Sequence, residues 1–178
     1  MKKDFIAPIA VLVLICVITT GVLAATNSVT EPVITQAANR RADESRAAIL
    51  PGADSFEKLD LEFPDGVTEA YSASNGAGDV VGYVLTATAS GYGGAGSLGI
   101  MLAISPEGIV TGITTLANGE TKGLGSRVSE PDYEGQFIGM DKALTDYHAV
   151  TGATISSDAY RGAVESALSA YEIIMEAA

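Results

Sequence analysis

The chain opens with a long uncharged block, and strand-like and helix-like patterns follow only after it. Residues 5–30 contain no charged side chain, and the stretch IAPIAVLVLICVITTGVLAA within them has about the 20 residues that a helix needs to cross a bilayer. Val22-Leu23-Ala24 resembles a signal-peptide cleavage site, so a cleaved leader is the alternative. The run exceeds the usual signal-peptide core of about 7–15 residues, which favours a retained transmembrane helix.

Basic residues flank both ends of this block. Lys2 and Lys3 precede it, and Arg40 and Arg41 follow within about 20 residues, so the positive-inside count is nearly balanced. Because the N-terminal tail is so short, we expect the N-terminus in the cytoplasm. The domain that follows would then lie on the extracytoplasmic side of the cell (inner) membrane, behind a single span.

A helical stalk is predicted between this block and the domain. Residues 31–50 are rich in Ala, Arg and Glu, and they end at Pro51-Gly52, a pair that stops helices. The predicted organisation is an anchor over 1–30, a stalk over 31–50 and one domain over 51–178.

Strand-like segments dominate the first half of that domain. The predicted strands are residues 69–74, 80–89, 98–105 and 109–116. Asn75-Gly-Ala-Gly78 separates the first two, and Pro106-Glu-Gly108 separates the last two, where Pro presets the turn and Gly permits positive φ. These short connections predict an antiparallel meander.

The last segment has a helical pattern. Ser156, Ser157 and Asp158 are candidate N-caps, and the helix is expected to begin there. One helical face carries Val164, Leu168, Tyr171 and Met175. Strands followed by a helix that packs on them predict the α+β class: a transmembrane helix and stalk, then an antiparallel-sheet domain with a C-terminal helix.

Composition restricts the possible chemistry. The net charge of −12 and the lack of a basic stripe argue against nucleic acid as a partner, whereas a solvated acidic surface or a docking face for a basic partner both fit. Cys16 lies in the apolar block and His148 is the only histidine, too few for a thiolate cluster or a transition-metal shell. Redox chemistry would need an organic cofactor.

The first of three glycine-rich clusters is Ser90–Gly96. Gly91, Gly93 and Gly96 match the dinucleotide fingerprint in spacing, but that motif must open a helix, and here it leads into a strand-like segment. A Rossmann site is therefore rejected. Two interpretations stay open: a loop whose backbone N–H groups reach a ligand beside Tyr92, or a plain connection between strands.

The second cluster is Asn118–Gly125. Glu120 and Thr121 stand before Gly123-Leu124-Gly125, which places a carboxylate, a hydroxyl and unshielded amides close together. Such a set suits a polar heterocycle and its hydroxyls, although an ordinary solvated turn has the same composition.

The third cluster, Thr151-Gly-Ala-Thr-Ile-Ser156, lies directly before the predicted helix. Helix N-termini attract phosphate through free N–H groups and the macrodipole. Gly152 and Ala153 are small enough to leave the hydroxyl of Thr154 accessible. Ordinary capping by Ser or Thr is the alternative.

These three clusters, in this order behind one N-terminal span, resemble the FMN-binding subunits of Rnf-type and sodium-pumping NADH:quinone reductase-type complexes. The short length is more similar to the Rnf G subunit than to the C subunit of the quinone reductase. In that family a flavin transferase joins FMN phosphate to the last Thr of a Ser/Thr-Gly-Ala-Thr motif. The resemblance therefore implies covalent FMN on Thr154.

The resemblance also implies where the flavin lies. The family's Glu-Thr-Pro-Gly-Leu-Gly segment matches Glu120 to Gly125, and its Gly-Tyr-Gly-Gly loop matches Gly91 to Gly94. Lys122 replaces the family's proline, and His148 stands where the transferase pattern usually has Asp. The cofactor-binding residues implied are Gly91, Tyr92, Gly93, Gly94, Glu120, Thr121, Gly123, Leu124, Gly125, Thr151, Gly152, Ala153, Thr154, Ile155 and Ser156.

The function implied is electron transfer through FMN in a multisubunit ion-translocating oxidoreductase, without stand-alone catalysis and with no catalytic side chain. The partners implied are the other membrane subunits, the bilayer and, during maturation, the flavin transferase. Two alternatives stay open: a non-redox extracytoplasmic binding or assembly module anchored in the membrane, and an independent anchored flavin carrier outside any complex.

Overall fold

A single N-terminal helix, α1, runs from Lys2 to Ile49 in the computed structural model, which describes residues 2–177. From Pro8 onward α1 is long and apolar enough to cross a membrane, with a mean hydropathy of 2.6 in its most apolar window. The chain divides into two compact units, one ending at Ala42 and the other beginning at Asp43. Helix α1 runs without a break through the predicted anchor and the predicted stalk.

The second unit is built on a five-stranded antiparallel sheet with strand order β1-β2-β3-β4-β5. The strands are β1 Ser55–Lys58, β2 Val67–Ser74, β3 Val80–Gly91, β4 Gly94–Ile104 and β5 Val110–Asn118. The meander is confirmed, and β1 is an additional edge strand that pairs with β2. β3 and β4 extend beyond the predicted bounds until Gly91 pairs with Gly94, so the first glycine cluster is the tip of a long hairpin.

One face of the sheet is covered by α3, which spans Thr154–Ala177. Leu85 and Ile100 of the sheet are fully buried together with Val164 and Leu168 of the helix. The predicted face also includes Met175, but burial ends before it: its side chain is 45% exposed near the end of α3, whereas Ile174 is 4% exposed.

The end of α1 that belongs to the same unit approaches the opposite face of the sheet, where Arg46 lies over the Tyr71 ring. Val84, Met101 and Ala103 are fully buried, and strand alternation turns them away from α3. Gly112 lets this helix end approach closely, since a Cβ at that position would lie 2.5 Å from the carbonyl oxygen of Ile49. An antiparallel sheet followed by a C-terminal helix that packs on it confirms the predicted α+β class.

Between β5 and α3 the chain forms short helical turns that the hydrophobic pattern had not predicted. These are a 3-10 turn at Gly125–Ser129, the helix α2 at Pro131–Glu134 and a 3-10 turn at Gly135–Phe137. Phe137 is fully buried, and its ring stacks on Tyr160 of α3 with centroids 5.6 Å apart. This aromatic packing holds the connection against the helix.

Candidate functional site

A cavity of about 560 Å³ lies where the three glycine-rich clusters meet. It is lined by Tyr92, Thr121, Leu124, Gly125, Gly152, Ala153, Thr154, Ile155 and Ser156. The volume falls within the roughly 300–1,000 Å³ typical of cofactor and ligand pockets. Three segments that are distant in sequence therefore build one concave site.

The hairpin tip between β3 and β4 supplies Tyr92. The tip turns through Gly94, whose φ of +98° is a conformation that glycine adopts without strain. Tyr92 is left 73% exposed, with its side chain on the cavity wall. The two longest strands of the sheet thus present one aromatic ring at the site.

Asn118, at the end of β5, shapes the second cluster. Its side-chain oxygen accepts a hydrogen bond from the backbone N–H of Glu120 at 3.0 Å, and its amide nitrogen donates to Ser129 Oγ at 2.9 Å. The turn then brings Thr121 and Leu124 to the cavity, where Leu124 is 46% exposed. The sequence pattern marks Asn118 only as the first residue of the second cluster.

The third cluster forms the start of α3, two residues earlier than predicted. Gly152 has φ +81°, which lets the chain turn sharply, and Ala153 O accepts the N–H of Ser157 at 2.9 Å. Helical backbone therefore begins at Thr154, which is exposed on the cavity wall.

The prediction that Ser156, Ser157 or Asp158 caps the helix is wrong, because α3 begins at Thr154 and all three residues lie inside it. Ser156 is 2% exposed and directs its hydroxyl to the Glu120 carboxylate at 2.5 Å. The hydroxyl of Ser157 accepts the N–H of Val150 at 2.9 Å. Both serines tie the helix start to neighbouring segments.

Glu120 lies behind the cavity wall and is 8% exposed. Its carboxylate accepts hydrogen bonds from four groups: the N–H of Tyr92, the N–H of Gly93, Ser97 Oγ and Ser156 Oγ. Burial by itself would raise the pKa of this carboxyl, but the four hydrogen bonds outweigh burial and hold the pKa below its ordinary value of 4.5. Ser97, which no sequence pattern singled out, is part of this network.

The remaining predicted residues lie around the cavity without lining it. Gly91, Gly93 and Gly94 form the hairpin tip that carries Tyr92. Gly123 is exposed in the loop after β5. Thr151 is exposed and lines a separate cavity of about 470 Å³ together with His148. Their contact with a cofactor stays a prediction.

The chemistry of the cavity suits a ligand with a flat apolar part and an anionic end. Tyr92, Leu124 and Ile155 offer exposed apolar surface. At Thr154 the first N–H groups of a 24-residue helix have no intrahelical acceptors, and the helix dipole favours negative charge there. A phosphorylated cofactor fits both features. The fold and the cavity therefore define a class of protein: a cofactor-binding domain that follows a helix able to span a membrane.

Comparison with known proteins identifies the family within this class. The FMN-binding domain family matches residues 91–169, a range that contains all nine residues of the cavity wall. The chain belongs to the family of G subunits of ion-translocating oxidoreductase complexes, on the evidence of relatives similar over most of its length.

Three relatives illustrate the match, and each is a G subunit 30% identical to this chain. The one from the proton-translocating ferredoxin:NAD(+) oxidoreductase complex of Clostridium ljungdahlii aligns over 88% of this chain and 86% of its own length. The one from the Na(+)-translocating ferredoxin:NAD(+) oxidoreductase complex of Acetobacterium woodii covers 91% and 89%. The one from the ion-translocating oxidoreductase complex of Methanosarcina acetivorans covers 94% of both.

Proposed function

We propose that the protein carries FMN in the cavity between the three glycine-rich clusters and passes electrons as a membrane-anchored subunit of an ion-translocating oxidoreductase complex. The observation that supports this most is the convergence of the clusters on one cavity, with Thr154 exposed at the first position of a long helix. Family membership supports the same function through the FMN-binding domain at residues 91–169.

Thr154 is the residue that we propose holds the FMN phosphate, through a phosphoester to its side-chain oxygen. In the transfer the hydroxyl loses its proton and takes the flavin phosphate from a phosphoanhydride donor, whose other phosphate leaves when the anhydride bond breaks. The hydroxyls of Ser156 and Ser157 are engaged inside the fold, one donating to a carboxylate and the other accepting a backbone N–H. Thr154 is exposed beside free helical N–H groups, which attract phosphate. Of these three hydroxyls near the helix start, Thr154 is the best placed.

FMN, when bound, accepts and donates one or two electrons, and the protein supplies binding, orientation and electrostatics. The apolar surfaces of Tyr92 and Leu124 lie on the wall, where a flat ring would contact them and where they would exclude water. The helix start would hold the anionic end. No side chain of the chain needs to act as an acid or a base.

The apolar helix confines the domain to a membrane surface. We propose that the domain lies on the extracytoplasmic side, where a flavin transferase would reach Thr154 during maturation. Confinement beside the other membrane subunits raises the effective concentration of the cofactor there, so electron exchange does not depend on free diffusion.

The attachment is tested by producing the full chain with a flavin transferase and examining covalent flavin fluorescence on a denaturing gel. Thr154→Ala should abolish the fluorescent band, because the oxygen that forms the ester is gone. Thr151→Ala and Ser156→Ala are the matched controls, since each removes a neighbouring hydroxyl, and both should keep at least part of the signal. A Thr154→Ala band as bright as wild type would show that the attachment lies elsewhere.

A further inference from the structure

Glu120 makes a pattern of contacts that differs from that of a ligand-binding carboxylate. Its Oε1 accepts from the N–H of Gly93 at 3.0 Å and from Ser97 Oγ at 2.5 Å. Its Oε2 accepts from the N–H of Tyr92 at 3.0 Å and from Ser156 Oγ at 2.5 Å. A carboxylate has about four acceptor positions, and here the chain itself fills all four.

The four donors come from both sides of the cavity. Tyr92 and Gly93 are in the hairpin tip, Ser97 is in β4, and Ser156 is in the first turn of α3. Glu120 itself stands in the loop after β5. One buried side chain therefore connects the three segments that form the cavity wall.

Glycines give this carboxylate the space it needs. A Cβ at Gly91 would lie 2.5 Å from Glu120 Oε1, and a Cβ at Gly125 would lie 2.6 Å from Ser156 Oγ. Side chains at either position would displace Glu120 or its partner. The glycines of the first two clusters thus make room for a contact within the protein as well as for a ligand.

We propose that Glu120 is a positioning residue: it fixes the hairpin tip and the start of α3 relative to each other and does not itself bind the cofactor. Ser156 is then held with its hydroxyl hydrogen on Glu120, whereas the hydroxyl of Thr154 is on an exposed residue at the cavity. This role rests on the proposed function, because it is the FMN site that Glu120 shapes. The network itself consists only of the chain's own residues.

The first test needs no flavin. Full-length chain in mild detergent, produced without the transferase, is examined by amide hydrogen exchange in peptides covering residues 90–97. In Glu120→Gln one carboxylate oxygen becomes an NH₂ group, so whichever way the amide is oriented, the N–H of Tyr92 or of Gly93 loses its acceptor. Exchange of that segment should become faster by about tenfold or more.

Glu134→Gln is the matched control. Glu134 is also a partly buried carboxylate that accepts hydroxyl hydrogen bonds, from Thr115 at 2.6 Å and Tyr160 at 3.3 Å, but it does not contact the cavity wall residues through them. Exchange over residues 90–97 should stay at the wild-type rate in this variant. An unchanged rate in Glu120→Gln, or an equal increase in both variants, would overturn the positioning role.

The second test adds the transferase and asks whether position or charge matters. Glu120→Gln should lower the fraction of chain with covalent FMN several-fold relative to Glu134→Gln. Glu120→Asp keeps the charge but is one methylene shorter, so it should restore neither slow exchange nor full flavin content. Restoration of both by Asp would show that charge alone suffices and would overturn the proposal.

Two further outcomes are distinguishable. If wild type never acquires covalent FMN, the proposed attachment fails, whereas the exchange result still decides the role of Glu120. If Glu120→Gln does not fold, Ser97→Ala takes its place: it removes one of the four donors and the acceptor of the Gly91 N–H, which lies 3.0 Å from Ser97 Oγ. Wild-type exchange and flavin content in Ser97→Ala would then refute the proposal.

Discussion

The substitution Gly125→Ala isolates the packing around the cavity from any effect on backbone conformation. Gly125 is buried, and its φ does not lie in the left-handed region, so an alanine there is not strained by its backbone. The added Cβ would lie 2.6 Å from Ser156 Oγ and 2.9 Å from the Cβ of Glu120. Both distances are well inside van der Waals contact, and both neighbours are buried, so neither can move into solvent.

We expect Gly125→Ala to destabilise the domain by about 1–3 kcal/mol, the usual cost of overpacking a well-packed site. Gly162→Ala is the matched control. Gly162 lies inside α3 with open space around its Cβ position, so alanine there should stabilise by about 0.5–1 kcal/mol through helix propensity.

Thermal unfolding of the full chain in mild detergent measures the difference. For a domain of this size, 1 kcal/mol corresponds to roughly 3–6 °C in Tm, so the two variants should differ by about 5–24 °C. A Gly125→Ala chain that unfolds at or above the temperature of Gly162→Ala would refute the steric reasoning.

Two predictions concern pH and topology. Burial raises the pKa of Glu134 above its ordinary 4.5, although hydrogen bonds from Thr115 and Tyr160 oppose it, so its contribution to stability is full below about pH 4.5 and is lost as pH rises through its folded-state pKa. The lowered pKa of Glu120 gives the opposite sign: its contribution is present above about pH 4.5 and is lost as pH falls. As the pH rises through about 4.5, the unfolding temperature of wild type should fall relative to that of Glu134→Gln and rise relative to that of Glu120→Gln. A change in the same direction for both pairs would contradict this account. For topology, protease added to intact cells should degrade the domain, whereas complete protection until lysis would place it in the cytoplasm.

The elements that were predicted correctly are those whose signals are local. Asn75 marks the first hairpin turn, because its side-chain oxygen accepts the N–H groups of Ala77 and Asp79 within the turn itself. The strands on either side, β2 and β3, are recognised by strand-favouring residues between turn signals, and one face of β3 packs on α3. The grouping of glycines indicated where the backbone approaches a neighbour closely, because such an approach needs a missing side chain. That these segments surround one site was implied by the family resemblance.

The elements that were missed depend on distant partners. β1 has the residues Ser55–Lys58, with no alternation of buried positions, and it is a strand because it pairs with β2. The turns at 125–137 are held by long-range aromatic packing. The role of Glu120 was also hidden, because its hydrogen-bond partners lie 23 to 36 residues away in the chain.

Electron transfer through a bound cofactor requires that the cofactor be held at a fixed position, and the fold explains how this site would do so. The hairpin tip that carries Tyr92 is the end of β3 and β4, and Leu85 and Ile100 fix these strands in the core. The helix start that carries Thr154 is fixed by the same core through the buried face of α3. Because both sides of the cavity rest on this one hydrophobic core, they cannot move apart without opening the core. Glu120 adds hydrogen bonds between the two sides behind the cavity wall, so the site is supported by the core and by this hydrogen-bond network.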